Sequence, residues 1–327
     1  MNTRIDKAVL RGLHAEQWQM IKSLRGGYSQ ASVCLIEVND QQFIIKLDDV
    51  SQKHLGLDRS YAAYAIAAEN NLAPKVYYAN AEEGIVLMQH VVHQPLPPRT
   101  PQFVKDIAGV IRQLHAGPAF GAWLTPLAIV RYVCDQMPSI LKENTLIKTA
   151  ISMLPAFEEM LNDPADRRPC HGDLNPSNIL YDGERYLLVD WASASQNNLY
   201  FDLACCASFA FAHHDELAEA LLQEYLGREP DNSEIKKYAS MRLFAKLFYG
   251  LVIVATACRD GYQCNLSEGE LAELPAFKHL YSKVLEGSED FANTEVRFKL
   301  GAAFLNQAVS CQLLLNDELA VVTKPRF

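Results

Sequence analysis

A short central segment carries the residues of this chain that are best suited to chemistry. Positions 171–180 read HGDLNPSNIL, and Asp190 follows a hydrophobic run ten residues later. Asp173 could orient an attacking hydroxyl group and accept its proton. Asn178 and Asp190 offer the amide and carboxylate oxygens that Mg2+ prefers as ligands. Phosphoryl transfer from ATP needs both functions on a rigid frame, because its catalysis is mostly positioning and electrostatics.

Each of these residue types, taken alone, is more often a polar turn residue on a protein surface. The spacing is more specific, since the order His-x-Asp-x-x-x-x-Asn precedes two short β-favouring runs, 179–183 and 186–190. The Asp-Gly pair at 182–183 is a hairpin signal. A hairpin there would bring Asn178 and Asp190 back together, while His171 is predicted to support the loop rather than to react.

The constellation resembles the aminoglycoside phosphotransferase and choline kinase superfamily. Those families typically read HGDLHxxN, then an Asp followed by Trp or Phe, then a DLA-like motif, which here is Phe201-Asp202-Leu203-Ala204. The resemblance covers nearly the whole chain and is strong in its central part. It implies that Asp202 is a structural loop anchor. It also implies a bilobal, protein-kinase-like α+β fold.

The distribution of elements agrees with that fold class. Residues 1–91 are predicted to form a small antiparallel-sheet N-lobe, with strands at 33–38, 43–47, 76–78 and 85–88 around one helix at 59–71. Four prolines between 93 and 101 indicate a lobe boundary. Residues 92–327 are predicted to form a large, mainly helical C-lobe, with long helices at 235–258 and 296–315.

The N-lobe contains candidate nucleotide-binding residues. Gly26, Gly27 and Ser29 precede a strand, where glycines let the backbone approach phosphates and Ser29 could donate a hydrogen bond. Gly-Gly alone is more often a plain turn. The resemblance implies that Lys46 is the lysine that contacts ATP phosphates.

The resemblance also implies that the segment 88–91 joins the lobes. There the backbone of Gln89 and Val91 would hydrogen-bond to a purine edge. An ordinary edge strand is the alternative for this segment.

One position departs from the family pattern. A glutamate on the helix after the ATP lysine normally pairs with it, and Ser60 stands at that place. Either the helix is shifted, another carboxylate serves, or the pair is missing. Asp58 and Glu69 are near but not at the expected spacing. The departure motivates an alternative function, a kinase-fold protein that binds nucleotide or a partner without turnover. The presence of Asp173, Asn178 and Asp190 speaks against it.

Composition narrows the class of protein. The 327 residues carry a formal charge of −9 and a pI near 5.5, so no basic footprint for nucleic acid is present. The eight cysteines form no CxxC pair, which argues against a zinc site and is typical of a reduced cytoplasm. The longest apolar run, Leu247–Cys258, is too short to span a bilayer. We therefore expect a cytoplasmic protein without a membrane span; the oligomeric state stays open.

The substrate is the least determined part of the prediction. A protein substrate is disfavoured, because Asn175 replaces the usual lysine and only twelve residues separate Asp190 from Asp202. The resemblance implies a small hydroxyl substrate, which would be cationic if it is an amino alcohol such as choline or ethanolamine, or an aminoglycoside. Ala192 replaces a glutamate that choline kinases often carry, which weakens a strict choline assignment.

Aromatic side chains could cage a quaternary ammonium group and acidic ones could pair with an amine, although core packing and solvated helix faces are the blander interpretations. The aromatic candidates are Trp123, Tyr132, Trp191, Tyr200, Phe248, Tyr249 and Tyr262. The acidic candidates are Asp135, Asp215, Glu216 and Asp260.

Overall fold

The computed structural model describes residues 2–24, 31–51, 56–264 and 266–322. The chain forms two compact units. The first comprises Met1–Trp123 and Arg167–Asp202, and the second comprises Leu124–Asp166 and Leu203–Phe327. The lobe boundary after residue 91 stays a prediction, since the bounds of these compact units follow a different division of the chain.

The first unit contains a sheet, three helices and two small strand pairs. Its helices are α1 (Asn2–Leu13), α2 (Leu57–Glu69) and α3 (Pro101–His115). Its strands are β1 (Gln19–Leu24), β2 (Ser32–Val38), β3 (Gln41–Leu47), β4 (Val76–Asn80), β5 (Ile85–Gln89), β6 (Arg167–Cys170), β7 (Ile179–Tyr181), β8 (Tyr186–Leu188) and β9 (Ser195–Asn198).

The five-stranded sheet is antiparallel, with the order β1-β2-β3-β5-β4. Asn39 and Asp40 connect β2 and β3, and both have positive φ, as a tight hairpin turn requires. Ile36, Ile45 and Leu87 are buried in the hydrophobic core of the sheet. The predicted antiparallel sheet is therefore confirmed.

Helix α1 was not predicted from the sequence, where one helix was expected among the first strands. Ile5, Ala8 and Val9 recur at helical spacing and are fully buried in the core cluster that includes the sheet. The signal is short, because the other residues of α1 are mostly polar. The N-terminal part therefore contains two helices rather than one.

Helix α2 lies at 57–69, two residues before the predicted 59–71. It ends where Asn71 adopts a left-handed conformation and the Leu72 N–H donates to the Ala67 carbonyl at 2.9 Å. The Leu72 carbonyl in turn accepts the Leu188 N–H at 2.7 Å. The end of α2 is thereby joined to the β7–β8 hairpin.

The second unit is helical. Its helices are α4 (Pro126–Asp135), α5 (Ser139–Lys142), α6 (Thr145–Met153), α7 (Glu158–Asn162), α8 (Leu199–Ala210, which begins in the first unit), α9 (Asp215–Leu226), α10 (Asn232–Arg259), α11 (Glu268–Ala272), α12 (Phe277–Leu285) and α13 (Thr294–Val322). The mainly helical character predicted for the C-terminal part is confirmed.

Helix α10 begins with a capping box, in which the Asp231 side chain accepts the Glu234 N–H while the Glu234 side chain accepts the Asp231 N–H. The helix is long and apolar enough to cross a membrane by length and composition, and 56% of its most apolar window is buried inside the protein. Phe244, Leu247 and Leu251 belong to the core. Burial of this kind fits the core helix expected from the sequence.

Candidate active site

The hairpin predicted after the central motif is present. In the β7–β8 pair, Ile179 lies opposite Leu188. The pairing continues one step further, since the Val189 N–H donates to the Asn178 carbonyl at 3.0 Å. Asn178 and Asp190 consequently stand at the same end of the hairpin.

Asp173 and Asn178 are held together by the amide group of Asn178. Its Nδ2 donates to the Asp173 backbone carbonyl at 2.9 Å and to Asp173 Oδ2 at 3.0 Å. Asn178 is buried, whereas Asp173 is partly exposed. The carboxylate of Asp173 is therefore oriented by a fixed donor while it stays accessible to solvent.

His171 is a supporting residue. Its Nε2 lies 2.9 Å from the Val189 carbonyl, which can only accept, so this nitrogen carries the proton. Nδ1 is then the acceptor for the Asp173 N–H at 3.3 Å. The imidazole is fully buried, and its centroid lies 4.7 Å from that of Trp191. These contacts join the segment before Asp173 to the strand that leads to Asp190.

Asp202 anchors the loop from beneath. Its Oδ1 accepts the Gly172 N–H at 2.7 Å and its Oδ2 accepts the His171 N–H at 2.8 Å. His115 from α3 adds a contact of 3.2 Å to Oδ2. Gly172 has φ +79°, and a Cβ there would lie 2.6 Å from the Ser193 carbonyl oxygen, so only glycine fits. These contacts suit the anchoring role that the resemblance implied for Asp202.

Sequence reasoning had not singled out Cys170 and His115, which lie next to this anchor. The Cys170 thiol is fully buried, and burial raises its pKa well above the ordinary value. Its Sγ lies 3.5 Å from the Asn197 carbonyl and 3.8 Å from His115 Nε2. The thiol therefore packs beneath the loop as an unreactive group.

Asp190 has an unusual backbone. Its φ of 62° and ψ of 68° place it in the left-handed region, which is strained for a residue with a side chain. The next residue, Trp191, is buried and donates from Nε1 to the Leu188 carbonyl at 3.1 Å. Trp191 thus fixes the chain just after the turn, and the Asp190 side chain keeps about 36% of its surface exposed.

Lys46 on β3 reaches the same site. Its Nζ lies 3.3 Å from Asp190 Oδ1 and 3.7 Å from Asp48 Oδ1. Ser60 lies in α2 and its Oγ donates to the Leu57 carbonyl of the same helix. Asp58 and Glu69, the carboxylates considered from the sequence, are both exposed. Asp48 was missed, although a carboxylate two residues after a strand lysine shares its face.

Three residues of the predicted nucleotide loop, Gly26, Gly27 and Ser29, lie outside the described residues. Gln89 is the last residue of β5, and its N–H donates to the Lys75 carbonyl at 2.8 Å. A purine contact from Gln89 would therefore use its carbonyl oxygen. Val91 follows β5 and is buried.

The aromatic candidates for a cationic cage are mostly core residues. Trp191, Tyr200, Phe248 and Tyr249 are buried, and Tyr132 is 60% exposed. The Arg59 guanidinium carbon lies 4.4 Å from the ring centroid of Trp123, and the ring centroids of Tyr262 and Phe298 lie 4.7 Å apart. Packing accounts for most of these residues.

The acidic candidates are surface groups or ion-paired. Asp135 and Glu216 are exposed. Asp215 is exposed and lies 3.6 Å from Arg242, and Asp260 pairs with Arg297 at 2.8 Å. These contacts account for Asp215 and Asp260 without a bound amine.

Asn178 and Asp190 fit a divalent cation by their donor chemistry. The amide nitrogen of Asn178 is used by Asp173, which leaves Oδ1 as the amide atom suited to a cation. Asp190 presents a partly exposed carboxylate. Hard cations such as Mg2+ take oxygen ligands of these two kinds.

A five-stranded antiparallel sheet, a mainly helical remainder and an Asp-Asn-Asp-Lys site together define a protein-kinase-like phosphotransferase fold. The family model described as "Phosphotransferase enzyme family" matches residues 21–244. The chain belongs to this family.

Individual proteins resemble parts or all of the chain. Protein LicA of Haemophilus influenzae is 38% identical over 69 residues, which are 21% of this chain and 25% of that protein. The chain thus matches about a quarter of the length of this curated relative.

Solved structures show the same fold. Choline kinase LicA from Streptococcus pneumoniae has a TM-score of 0.64 at 17% identity, covering 94% of this chain and 99% of that one. A structure of LicA in complex with AMP has a TM-score of 0.62 at 16% identity, covering 94% and 98%. At such identities the likeness shows the fold, and it confirms the protein-kinase-like fold expected from the sequence.

Proposed function

We propose that this protein is a small-molecule kinase that transfers the γ-phosphate of ATP to a substrate hydroxyl group. The observation that carries the proposal is the grouping of Asp173, Asn178, Asp190 and Lys46. Asp173 is fixed by Asn178, and Lys46 lies 3.3 Å from Asp190. A scaffold that only bound a partner would have no chemical need for all four groups. The carboxylate beside Lys46 also removes the reason for the alternative of a protein without turnover.

The roles of these residues follow from their positions. Asp173 orients the acceptor hydroxyl and takes its proton as the new ester bond forms. Lys46 contacts the phosphates as a positive charge, and Asn178 with Asp190 would hold Mg2+. Bound Mg2+ would supply positive charge against the negative charge that develops on the phosphate oxygens. His171 and Asp202 keep the loop rigid through their hydrogen bonds to its backbone and to Val189, and neither contacts the substrate.

Nucleotide binding is supported from two directions. The LicA structure with AMP comes from a protein of the same fold. In this chain Gly26, Gly27 and Ser29 would supply the hydrogen bonds that position the phosphates. The carbonyl of Gln89 and the N–H of Val91 would face the purine edge.

The acceptor that we favour is an amino alcohol of the choline or ethanolamine kind, with aminoglycosides as the second class. The similarity to Haemophilus influenzae LicA, and to the Streptococcus pneumoniae structure described as choline kinase LicA, supports the first class. A cytoplasmic location, where ATP and Mg2+ are plentiful, fits this activity.

The test is Mg-dependent release of ADP by the purified protein with choline, ethanolamine and aminoglycosides as acceptors. We expect turnover with one acceptor class, and a rate about 10²–10⁴-fold lower with Asp173→Ala. Asp58→Asn is the matched control, since Asp58 is an exposed carboxylate outside the site. Turnover by Asp173→Ala equal to that of the unchanged protein would overturn the role of Asp173. The absence of ATP binding by the unchanged protein would overturn the proposal itself.

A further inference from the structure

The two carboxylates of α2, Asp58 and Glu69, are both exposed, and Ser60 stands where the family pattern has the glutamate that pairs with the lysine. Ser60 is buried and its hydroxyl donates within the helix, to the Leu57 carbonyl at 3.1 Å. The next residue, Tyr61, connects α2 to Lys46 indirectly, through Asp48. Its hydroxyl donates to Asp48 Oδ2 at 2.7 Å, and the other oxygen of Asp48 lies 3.7 Å from Lys46 Nζ. A chain of three side chains therefore runs from α2 to the lysine.

Asp48, the middle residue of these three side chains, is held in place by its backbone contacts. Its backbone N–H donates to the Gly84 carbonyl at 2.8 Å, and its own carbonyl accepts from Arg4 at 3.4 Å. Gly84 has φ +61°, and a Cβ there would lie 2.6 Å from the Asp48 carbonyl oxygen. The turn before β5 thus packs directly on the Asp48 backbone. With its side chain about 8% exposed, Asp48 has little freedom to change rotamer.

Asp190 is a less permanent partner for Lys46. Its carboxylate is about 36% exposed and, in the proposed function, it is a ligand of Mg2+. A cation bound by Asp190 competes with the lysine for the same oxygen atoms. Asp48 has no such second role, so it remains beside Lys46 when nucleotide is present.

Helix α2 also contacts the segment after Asp190. The Arg59 guanidinium donates to the Ala192 carbonyl at 2.6 Å and to the Ala194 carbonyl. Two positions of one helix, Arg59 and Tyr61, therefore hold the metal side and the lysine side of the site. A displacement of α2 would move both sides.

We propose that Asp48 is the positioning carboxylate of Lys46, and that Tyr61 fixes it from α2 in place of a helix glutamate. This inference rests on the proposed function, since Lys46 acts there on the phosphates of ATP. Asp48 touches no substrate in this account. It acts through Lys46, so its loss affects phosphate-bearing nucleotides and leaves adenosine binding unchanged.

The experiment compares Asp48→Asn, Tyr61→Phe, their double variant and Tyr238→Phe. Tyr238 is the matched control, because it is also a buried helix tyrosine, in α10 of the second unit, and its hydroxyl donates to the Ala218 carbonyl at 2.6 Å. The measurements are the KM for Mg-ATP, kcat, and the dissociation constants of Mg-ATP and adenosine. Asp48→Asn is expected to raise the KM for Mg-ATP on the order of tenfold, and Tyr61→Phe less.

Two features of the result distinguish positioning from other effects. Removing the negative charge of Asp48 should by itself strengthen the binding of anionic phosphates, so a weaker binding has the opposite sign from plain electrostatics. Tyr61 acts only through Asp48, so the double variant should match Asp48→Asn rather than show the product of two losses. Tyr238→Phe should keep the KM of the unchanged protein.

Other outcomes overturn the inference. If the unchanged protein turns over ATP while Asp48→Asn and Tyr61→Phe behave like it or bind Mg-ATP more tightly, Asp48 does not position Lys46. An additive double variant would show that Tyr61 acts independently of Asp48. An equal loss of adenosine and Mg-ATP binding would indicate general disruption of the lobe. If the unchanged protein binds no Mg-ATP, the proposed function fails first and this inference fails with it.

Discussion

The amide nitrogen of Asn178 lies 3.0 Å from Oδ2 of Asp173 and 2.9 Å from its backbone carbonyl. One side chain therefore orients the proposed base with its nitrogen and offers its oxygen to a metal ion. The two functions of the site are coupled through this single amide. The same amide explains why an asparagine, rather than an aspartate, suits this position.

Asn178→Ala should damage both functions at once. The variant loses a metal ligand and frees the Asp173 carboxylate to rotate, so kcat should fall by about 10²-fold or more. The Mg2+ concentration that gives half-maximal rate should rise as well. Rates measured across a Mg2+ titration test this, with Glu184→Ala, at an exposed position between β7 and β8, as a neighbouring control. A loss of kcat without a change in Mg2+ dependence would contradict the ligand role.

Replacing Asp190 should affect nucleotide binding and the free energy of unfolding in different ways. Asp190→Gly and Asp190→Ala both remove the carboxylate and should abolish Mg-dependent nucleotide binding. Only glycine relieves the left-handed backbone at φ 62°, so the glycine variant should be more stable than the alanine variant by about 1 kcal/mol. Urea unfolding of the two variants measures the difference. Equal stabilities would mean that the backbone strain is absent.

Asp202→Asn should destabilise the protein. Both carboxylate oxygens accept backbone N–H groups of the loop, and an asparagine would turn its own N–H2 toward one of these donors. A buried hydrogen bond left unmade costs about 1–3 kcal/mol, so the free energy of unfolding should fall by roughly that amount. Chemical denaturation checks it, with exposed Asp58→Asn as control. An unchanged unfolding midpoint would contradict the anchoring role.

The acidic cluster around Lys237 should make stability depend on pH. Lys237 Nζ lies 2.6 Å from Asp166 and 3.0 Å from Asp163. Hydrogen bonds from Lys237 and the Ala165 backbone hold the pKa of Asp163 below its ordinary value. A lowered carboxyl pKa stabilises the fold above the unfolded pKa near ~4 and loses that contribution as pH falls.

Lys237→Met tests this cluster. It leaves the buried Asp166 without its cation, which should lower the free energy of unfolding by about 1–3 kcal/mol near neutral pH. The difference from the unchanged protein should shrink as pH falls below the unfolded carboxyl pKa of ~4 and through the lowered pKa of Asp163, because the contribution of that carboxylate is lost there. It should also shrink above the ordinary lysine pKa of ~10, since the hydrogen bonds that Lys237 donates to Asp166 and Asp163 raise its pKa in the fold, while the burial of its ammonium opposes them. A difference that is constant across pH would contradict the electrostatic explanation.

Most of the elements that position the site could be predicted from the sequence. Short β-favouring runs predicted the strands β2 to β5 of the sheet, whereas β1 was not predicted, and Asp182-Gly183 predicted the β7–β8 hairpin. The helix expected at 59–71 lies at 57–69. The order of Asp173, Asn178 and Asp190 could be read because that segment is local and its chemistry restricts the residue types.

Other features depend on contacts that the sequence does not encode locally. The partnership of Asp48 with Tyr61 joins the residue just after β3 to a residue of α2 thirteen positions later, with no periodic signal. The left-handed backbone of Asp190 is invisible in its residue type. Helix α1 was missed because only Ile5, Ala8 and Val9 mark its buried face.

The most direct test of the central claim is detection of the phosphorylated acceptor itself. The purified protein is incubated with Mg-ATP and choline, ethanolamine or an aminoglycoside, and the masses of the products are determined by mass spectrometry. We predict a phosphate ester of one acceptor class, formed in step with ADP, and a rate about 10²–10⁴-fold lower with Asp173→Ala. Hydrolysis of ATP without any ester, or an ester formed equally by Asp173→Ala, would contradict the account.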